Sequence, residues 1–281
     1  MQPGQPSRTA LGAAGHRAAH QVLERGFIFT DPLALRILGA DAEAAVQKAE
    51  NDPSRRLLRL FIAVRTRFAE DALAAAIARG VRQLVILGAG LDTYAYRAVV
   101  GEGFRIFEVD HPATQAWKRQ RLAEAAIPVP GTLTFAPVDF ERETLADGLE
   151  AVGFDSSRQT FFTWLGVVPY LTEQAVFSTL GFIASLPGGA HVVFDYGNPP
   201  ALNTEPDEAA AIGRRLAGRV ALAGEPFQSH FETATLHAKL RDLGFREIED
   251  LGPALIRERY FPNRDGSVRD RGGHIIRVTT T

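Results

Sequence analysis

The chain has 281 residues, 46% of them hydrophobic and 23% charged, so it can bury an ample core and falls outside the disordered class. Its formal charge is −2 and its basic residues are scattered, which excludes a phosphate-tracking surface and makes nucleic acid an unexpected partner. The lack of cysteine removes disulfides, thiolate nucleophiles, iron–sulfur clusters and Cys-type zinc sites together.

No apolar run approaches ~18 residues and the first segment has no hydrophobic signal core, so no membrane association is expected and the cytoplasm is the expected compartment. The whole chain, 1–281, reads as one domain, with 1–80 as a helical cap and 81–281 as an α/β core. Met1 to Ser7 reads as a loose tail. Asp52-Pro53-Ser54 opens a helix predicted to run to Arg79, with Ser54 as its cap and Gly80 as its stop.

On that helix Leu58, Phe61, Ile62, Phe68, Ala69, Ala72 and Ala76 fall within about 60° of Arg65 at ~100° per residue. Arg65 therefore points inward. Arg56, Arg59, Arg67, Glu70 and Asp71 take the opposite, solvated face. An inward arginine is costly unless it meets an anion, either a buried acid or a ligand carboxylate. Arg65 to Arg79 spans roughly 22 Å of helix and Arg82 to Leu87 roughly 20 Å of strand, so antiparallel packing sets Arg65 level with Gly88.

Beyond the cap, β-rich runs alternate with helical stretches: Gln83–Leu87, Arg105–Val109, Thr132–Val138, Thr160–Trp164, Ala190–Tyr196, Phe245–Leu251 and His274–Thr280. This alternation predicts βαβ units on a mostly parallel sheet. Asn198 to Phe231 is longer than an ordinary connection and carries alanine-rich helical sequence, as a lid or substrate wall would. Gly252 to Gly273 shows little helical pattern and contains Pro262-Asn263 and Asp265-Gly266, so an antiparallel last strand is predicted.

The first run leads directly into Gly88-Ala89-Gly90-Leu91-Asp92-Thr93 and a helix start, the order of a cofactor cradle in which glycines let a ligand approach the backbone. A dinucleotide fingerprint calls for a third glycine where this chain has Thr93. Asp110 stands twenty positions beyond Gly90, where an acid grips ribose hydroxyls. A nucleoside ligand without a required pyrophosphate fits; a tight turn is the plain reading of the glycines, and a helix cap that of Asp92.

The string Val85 to Arg97, with Phe107-Glu108-Val109-Asp110-His111-Pro112, resembles the leucine carboxyl methyltransferase-like family of S-adenosylmethionine-dependent methyltransferases, whose bacterial members include polyketide O-methyltransferases. The likeness extends to Arg17-Ala18, Phe29 to Ala34, Arg65-Thr66, Val138-Asp139-Phe140, Tyr170-Leu171-Thr172, Leu243-Gly244-Phe245 and Arg259-Tyr260-Phe261. It implies a class I methyltransferase fold, Rossmann-like, with seven strands and the last antiparallel. It also implies S-adenosyl-L-methionine as cofactor and a small-molecule acceptor, a carboxylate or a hydroxyl.

By the resemblance Gly88 and Gly90, with Ala89 between them, lie beneath the methionine part, and Arg65 meets the cofactor carboxylate with help from Arg17. Asp110 takes the ribose, and Asp139 and Phe140 stand beside the adenine; Asp92, apart from the resemblance, is a cofactor-binding candidate with a helix cap as its alternative. Many relatives carry Glu-Gly ahead of Tyr-Leu, whereas this chain has Trp164-Leu165-Gly166, which leaves the methionine amine or a substrate contact without its usual acid. A nicotinamide-dependent oxidoreductase and a non-catalytic nucleoside-binding module are the competing classes.

Trp164, Tyr170, Tyr196 and Tyr260 are candidate substrate-pocket walls, each with an ordinary core or rim alternative. His16 and His20 stand four apart without a third ligand, and no metal is expected. No catalytic base is announced; His111 and His230 have plain helix-start and loop readings. Arg214, Arg215 and Arg219 in the predicted lid suit an anionic acceptor.

Overall fold

The computed structural model describes residues 7–139, 142–199, 217–218, 226–262 and 272–281. Seven strands form one sheet: β1 Gln83–Leu87, β2 Arg105–Asp110, β3 Leu133–Pro137, β4 Thr160–Trp164, β5 Ala190–Gly197, β6 Glu247–Leu251 and β7 Gly273–Thr279. Their order is β3-β2-β1-β4-β5-β7-β6, and β7 runs antiparallel to both β5 and β6 while the other pairings are parallel. This is the class I methyltransferase arrangement. Every strand lies within two residues of its predicted run.

β1 and β4 are central and buried on both faces, which explains why Gln83–Leu87 and Thr160–Trp164 are mainly apolar and carry no charge. One face packs α6 (Leu145–Ala151), α7 (Glu173–Ala184) and α8 (Thr233–Asp242) around Val85, Phe107, Phe162 and Phe194. The other face, with Leu84, Ile86, Phe161 and Val193, receives α3 (Arg56–Ala78) and α9 (Pro253–Tyr260). The cap helices α1 (Arg8–Leu23) and α2 (Asp41–Glu50) close the end of that layer. Ala14, Ala18, Ile37 and Leu38 of the cap share a core with Leu91, which follows the β1 turn, and with Leu122 of α5 (Pro112–Glu124). The cap is thus packed onto the glycine turn.

Three sequence expectations change. A short 3-10 turn, Pro53–Arg55, precedes α3, and Ser54 donates its hydroxyl to Asp52 at 2.5 Å rather than capping the helix. The connection after β6 contains α9, begun by Pro253 at its first position. Arg59, placed on the solvated face, is 4% exposed because Glu24 from the cap meets it with two hydrogen bonds of 2.7 Å. Most of the predicted lid, including Arg214, Arg215 and Arg219, lies outside the described residues. No helix among the described residues is long and apolar enough to cross a membrane.

Candidate active site

Parallel strands leave their carboxyl ends along one edge of the sheet, and there the loops after β1, β2 and β4 meet. Gly88 and Gly90 have φ of 64° and 42°, the left-handed region that favours glycine. A β-carbon on Gly88 would lie 2.4 Å from Val167 Cγ2 in the loop after β4, and one on Gly90 would lie 2.9 Å from Ala10 Cβ of α1. Ala89 N–H donates to Val109 O at 3.1 Å. Asp92 accepts from Tyr94 N–H at 2.8 Å, so it closes the turn ahead of the short helix α4 (Tyr94–Arg97).

Asp110 ends β2 beneath this turn. One carboxylate oxygen accepts from Gly90 N–H at 2.6 Å and the other from His111 N–H at 2.7 Å. Burial nevertheless raises its pKa above the usual carboxylate value, outweighing both donors. Each oxygen keeps an acceptor position in surroundings short of water. Two further hydroxyl donors would satisfy it.

Arg65 projects from α3 at the same level, 9% exposed. Its Nη1 donates to Asp195 Oδ2 at 2.9 Å, and Asp195 Oδ1 accepts from Gly166 N–H at 2.6 Å. A buried acid is therefore present for this inward arginine. Arg65 Nε is buried without a hydrogen-bond partner. The loop Gly166-Val167 touches Arg65 with one residue and Gly88 with the next, so guanidinium and glycine turn are neighbours. The sequence analysis does not single out Asp195, whose one local signal is that it is the lone acid of β5, directly after the apolar Val192-Val193-Phe194.

Arg17 reaches the turn from α1, its Nη2 donating to Leu91 O at 2.6 Å and its Nε to Asp31 at 3.3 Å. Thr93, the residue that departs from the dinucleotide fingerprint, donates its hydroxyl to the same Asp31 at 2.7 Å. Arg97 lies near Asp31 at 3.8 Å and grips Glu70 through two nitrogens. The third position of the turn thus fastens the cap instead of freeing space for a pyrophosphate. Glu70 is half-buried, not on the open face its helical phase predicts.

Behind Asp110, Glu108 and Lys118 are 0% and 1% exposed, and Lys118 Nζ lies 2.8 Å from Glu108 Oε2. Tyr96 donates its hydroxyl to the same oxygen at 3.0 Å. Burial, partly offset by Lys118, pushes the Glu108 pKa up to about 7. Asp139 follows β3 with a half-buried side chain, and Phe140 lies outside the described residues.

The aromatic candidates divide. Trp164 and Tyr196 are 3% and 2% exposed core side chains, and neither lines an open wall. Tyr196 is held by its hydroxyl, 2.6 Å from Asp250 Oδ2, and by ring stacking on His274. Tyr170 is half-buried against Phe227 at 5.2 Å between ring centroids. Tyr260 is half-buried, with a hydroxyl that has no hydrogen-bond partner. His111 accepts from Ala113 N–H at 3.2 Å and caps α5. His230 is exposed, 3.8 Å from where a Gly197 β-carbon would stand. Among the described residues no three His, Cys, Asp or Glu side chains are gathered to hold a metal.

Comparison with known proteins agrees with this architecture. The YktD protein of Bacillus subtilis strain 168, a candidate S-adenosyl-L-methionine-dependent methyltransferase, is 30% identical over 296 residues, 94% of each chain. The SCO7813 protein of Streptomyces coelicolor, a candidate of the same kind, is 39% identical over 182 residues, 63% of each. Two solved structures share the fold. A candidate methyltransferase from Thermobifida fusca YX has a TM-score of 0.57 at 17% identity, covering 99% of this chain and 96% of that one. A DUF574 family protein from Streptomyces avermitilis has a TM-score of 0.50 at 16% identity, covering 95% and 97%. The model of the leucine carboxyl methyltransferase family matches residues 10–184, from α1 through α7, and with the end-to-end match to YktD it shows that this chain belongs to that family.

Proposed function

We propose that this methyltransferase moves the methyl group of S-adenosyl-L-methionine to a carboxylate oxygen of a small molecule. The reading rests on one observation above others: Gly88, Gly90, Asp110 and Arg65, far apart in sequence, meet at the carboxyl ends of β1, β2 and β4. Asp110 would hold the ribose, the glycine turn would lie beneath the methionine part, Arg65 would take its carboxylate, and Asp139 would sit beside the adenine. The bound cofactor supplies a methyl group already activated by its sulfonium. The chain's own contribution is then orientation and exclusion of water.

A carboxylate acceptor is ionised at neutral pH and needs no general base, whereas an alkyl hydroxyl gains from one with a pKa near 7. The name of the matching family points to carboxyl groups, and His111 is occupied as a helix cap. kcat is expected to stay nearly flat from about pH 6 to 9 when chemistry limits the rate. A steep rise near pH 7 that disappears in His230→Ala would instead assign a hydroxyl acceptor.

The cofactor arm of the proposal is tested by Arg65→Lys. Lysine keeps the charge but loses the planar fork. Calorimetry is expected to show roughly tenfold or greater loss for S-adenosylhomocysteine and little change for 5′-methylthioadenosine, which has no carboxylate. Equal losses would make Arg65 purely structural. NAD in the same titration separates the oxidoreductase class, and turnover of the methyl donor separates an inert binding module.

A further inference from the structure

We propose that Asp195 receives the α-ammonium group of the cofactor, so that Arg65 and Asp195 together recognise a zwitterion. The inference rests on the cofactor reading above and adds a residue and a selectivity to it. An amino-acid end carries a cation and an anion a few ångströms apart, and its complement is an anion beside a cation. Arg65 and Asp195 offer that complement, with 2.9 Å between Nη1 and Oδ2 and side chains 11% and 6% exposed.

The pair is built but incompletely satisfied. Arg65 Nε is buried without a partner. Asp195 spends one acceptor position of each oxygen, on Gly166 N–H and on Arg65, so each oxygen has another to offer. A buried ion pair costs desolvation that a single contact seldom offsets, and added donors and acceptors recover it. Gly166 makes the close approach feasible. Its φ is 72°, and a β-carbon there would stand 2.6 Å from Arg65 Nη2. Asp195 is two positions from the end of β5, on the same face as Arg65 and next to the loop that touches Gly88, which places it by the methionine end rather than the ribose end.

The charges dictate a preference. A ligand with the carboxylate but no amine would bring a second anion against Asp195 and compete with it for Arg65. Calorimetry on the full chain is the test, with three probes: S-adenosylhomocysteine, its analogue with the α-amino group replaced by hydrogen, and 5′-methylthioadenosine. Wild type is expected to bind the deamino analogue at least tenfold more weakly than S-adenosylhomocysteine. Asp195→Asn is expected to lose at least tenfold for S-adenosylhomocysteine while binding the deamino analogue as well as wild type or better, with 5′-methylthioadenosine unchanged as the check on folding. Equal wild-type affinity for the two carboxylate ligands overturns the proposal whether or not the variant folds. Equal loss of both in Asp195→Asn, or no loss of either, also overturns it, since Asp195 would then only orient Arg65 or not take part. Failure of wild type to bind S-adenosylhomocysteine at all would strike the cofactor reading itself.

Discussion

Above about pH 8, where Glu108 is ionised beside it, Lys118→Met is expected to destabilise the fold by about 3–5 kcal/mol, because it strips the counter-ion from a carboxylate with no exposure to solvent. Glu108 Oε1 already has no hydrogen-bond partner, and after the substitution the Tyr96 hydroxyl would be left as the donor to Oε2. Thermal unfolding should show a fall on the order of 10 °C for a chain of this size. Combining it with Glu108→Gln should recover a large part of the loss, since the buried charge leaves with its partner. A single variant within about 1 kcal/mol of wild type would mean that the pair is not buried as a charged unit. The same carboxyl gives a pH signature. Its pKa rises on folding, from 4.5 to about 7, so the folded state holds the proton more tightly. Its contribution is then fully favourable below 4.5 and is lost as pH climbs toward about 7. Unfolding measured between those values should show this slope in wild type and lose it in Glu108→Gln.

How far the sequence carried depends on the range of the interaction. The seven strands were legible because central parallel strands are short apolar runs punctuated by glycine, and that pattern is local. Arg65 was legible for the same reason: one helix is enough to place it on an apolar stripe. Its partner was not, since Asp195 lies 130 positions away and a lone acid in an apolar strand carries no periodic signal. Arg59 and Glu70 were misplaced by the rule that found Arg65. Their phase is outward, but Glu24 of the cap and Arg97 after β1 cover them, and helical phase cannot foresee a neighbour from another element. α9 escaped because Pro253 opens it and the turn signals beyond residue 261 dominate a helix of eight residues.

Asp110→Ala is expected to weaken S-adenosylhomocysteine and 5′-methylthioadenosine alike, by more than ~1.5 kcal/mol, because charge-assisted hydrogen bonds to the ribose are worth about that much each. Both ligands carry the ribose, so the two losses should match, unlike those in Arg65→Lys. The substitution also releases Gly90 N–H and His111 N–H from their acceptor, which loosens the turn under the ligand. Asp110→Asn separates these effects, since its amide oxygen can still accept from Gly90 while the charge that favours the hydroxyl donors is gone. Partial recovery of affinity in Asp110→Asn would measure the share owed to the turn. Unchanged binding in Asp110→Ala would remove the ribose from β2 and with it the orientation that sets the methionine end against Arg65. If loss common to both ligands maps to β2 and loss confined to the carboxylate ligand maps to α3, the cofactor runs along the sheet edge from β2 toward β4 and β5.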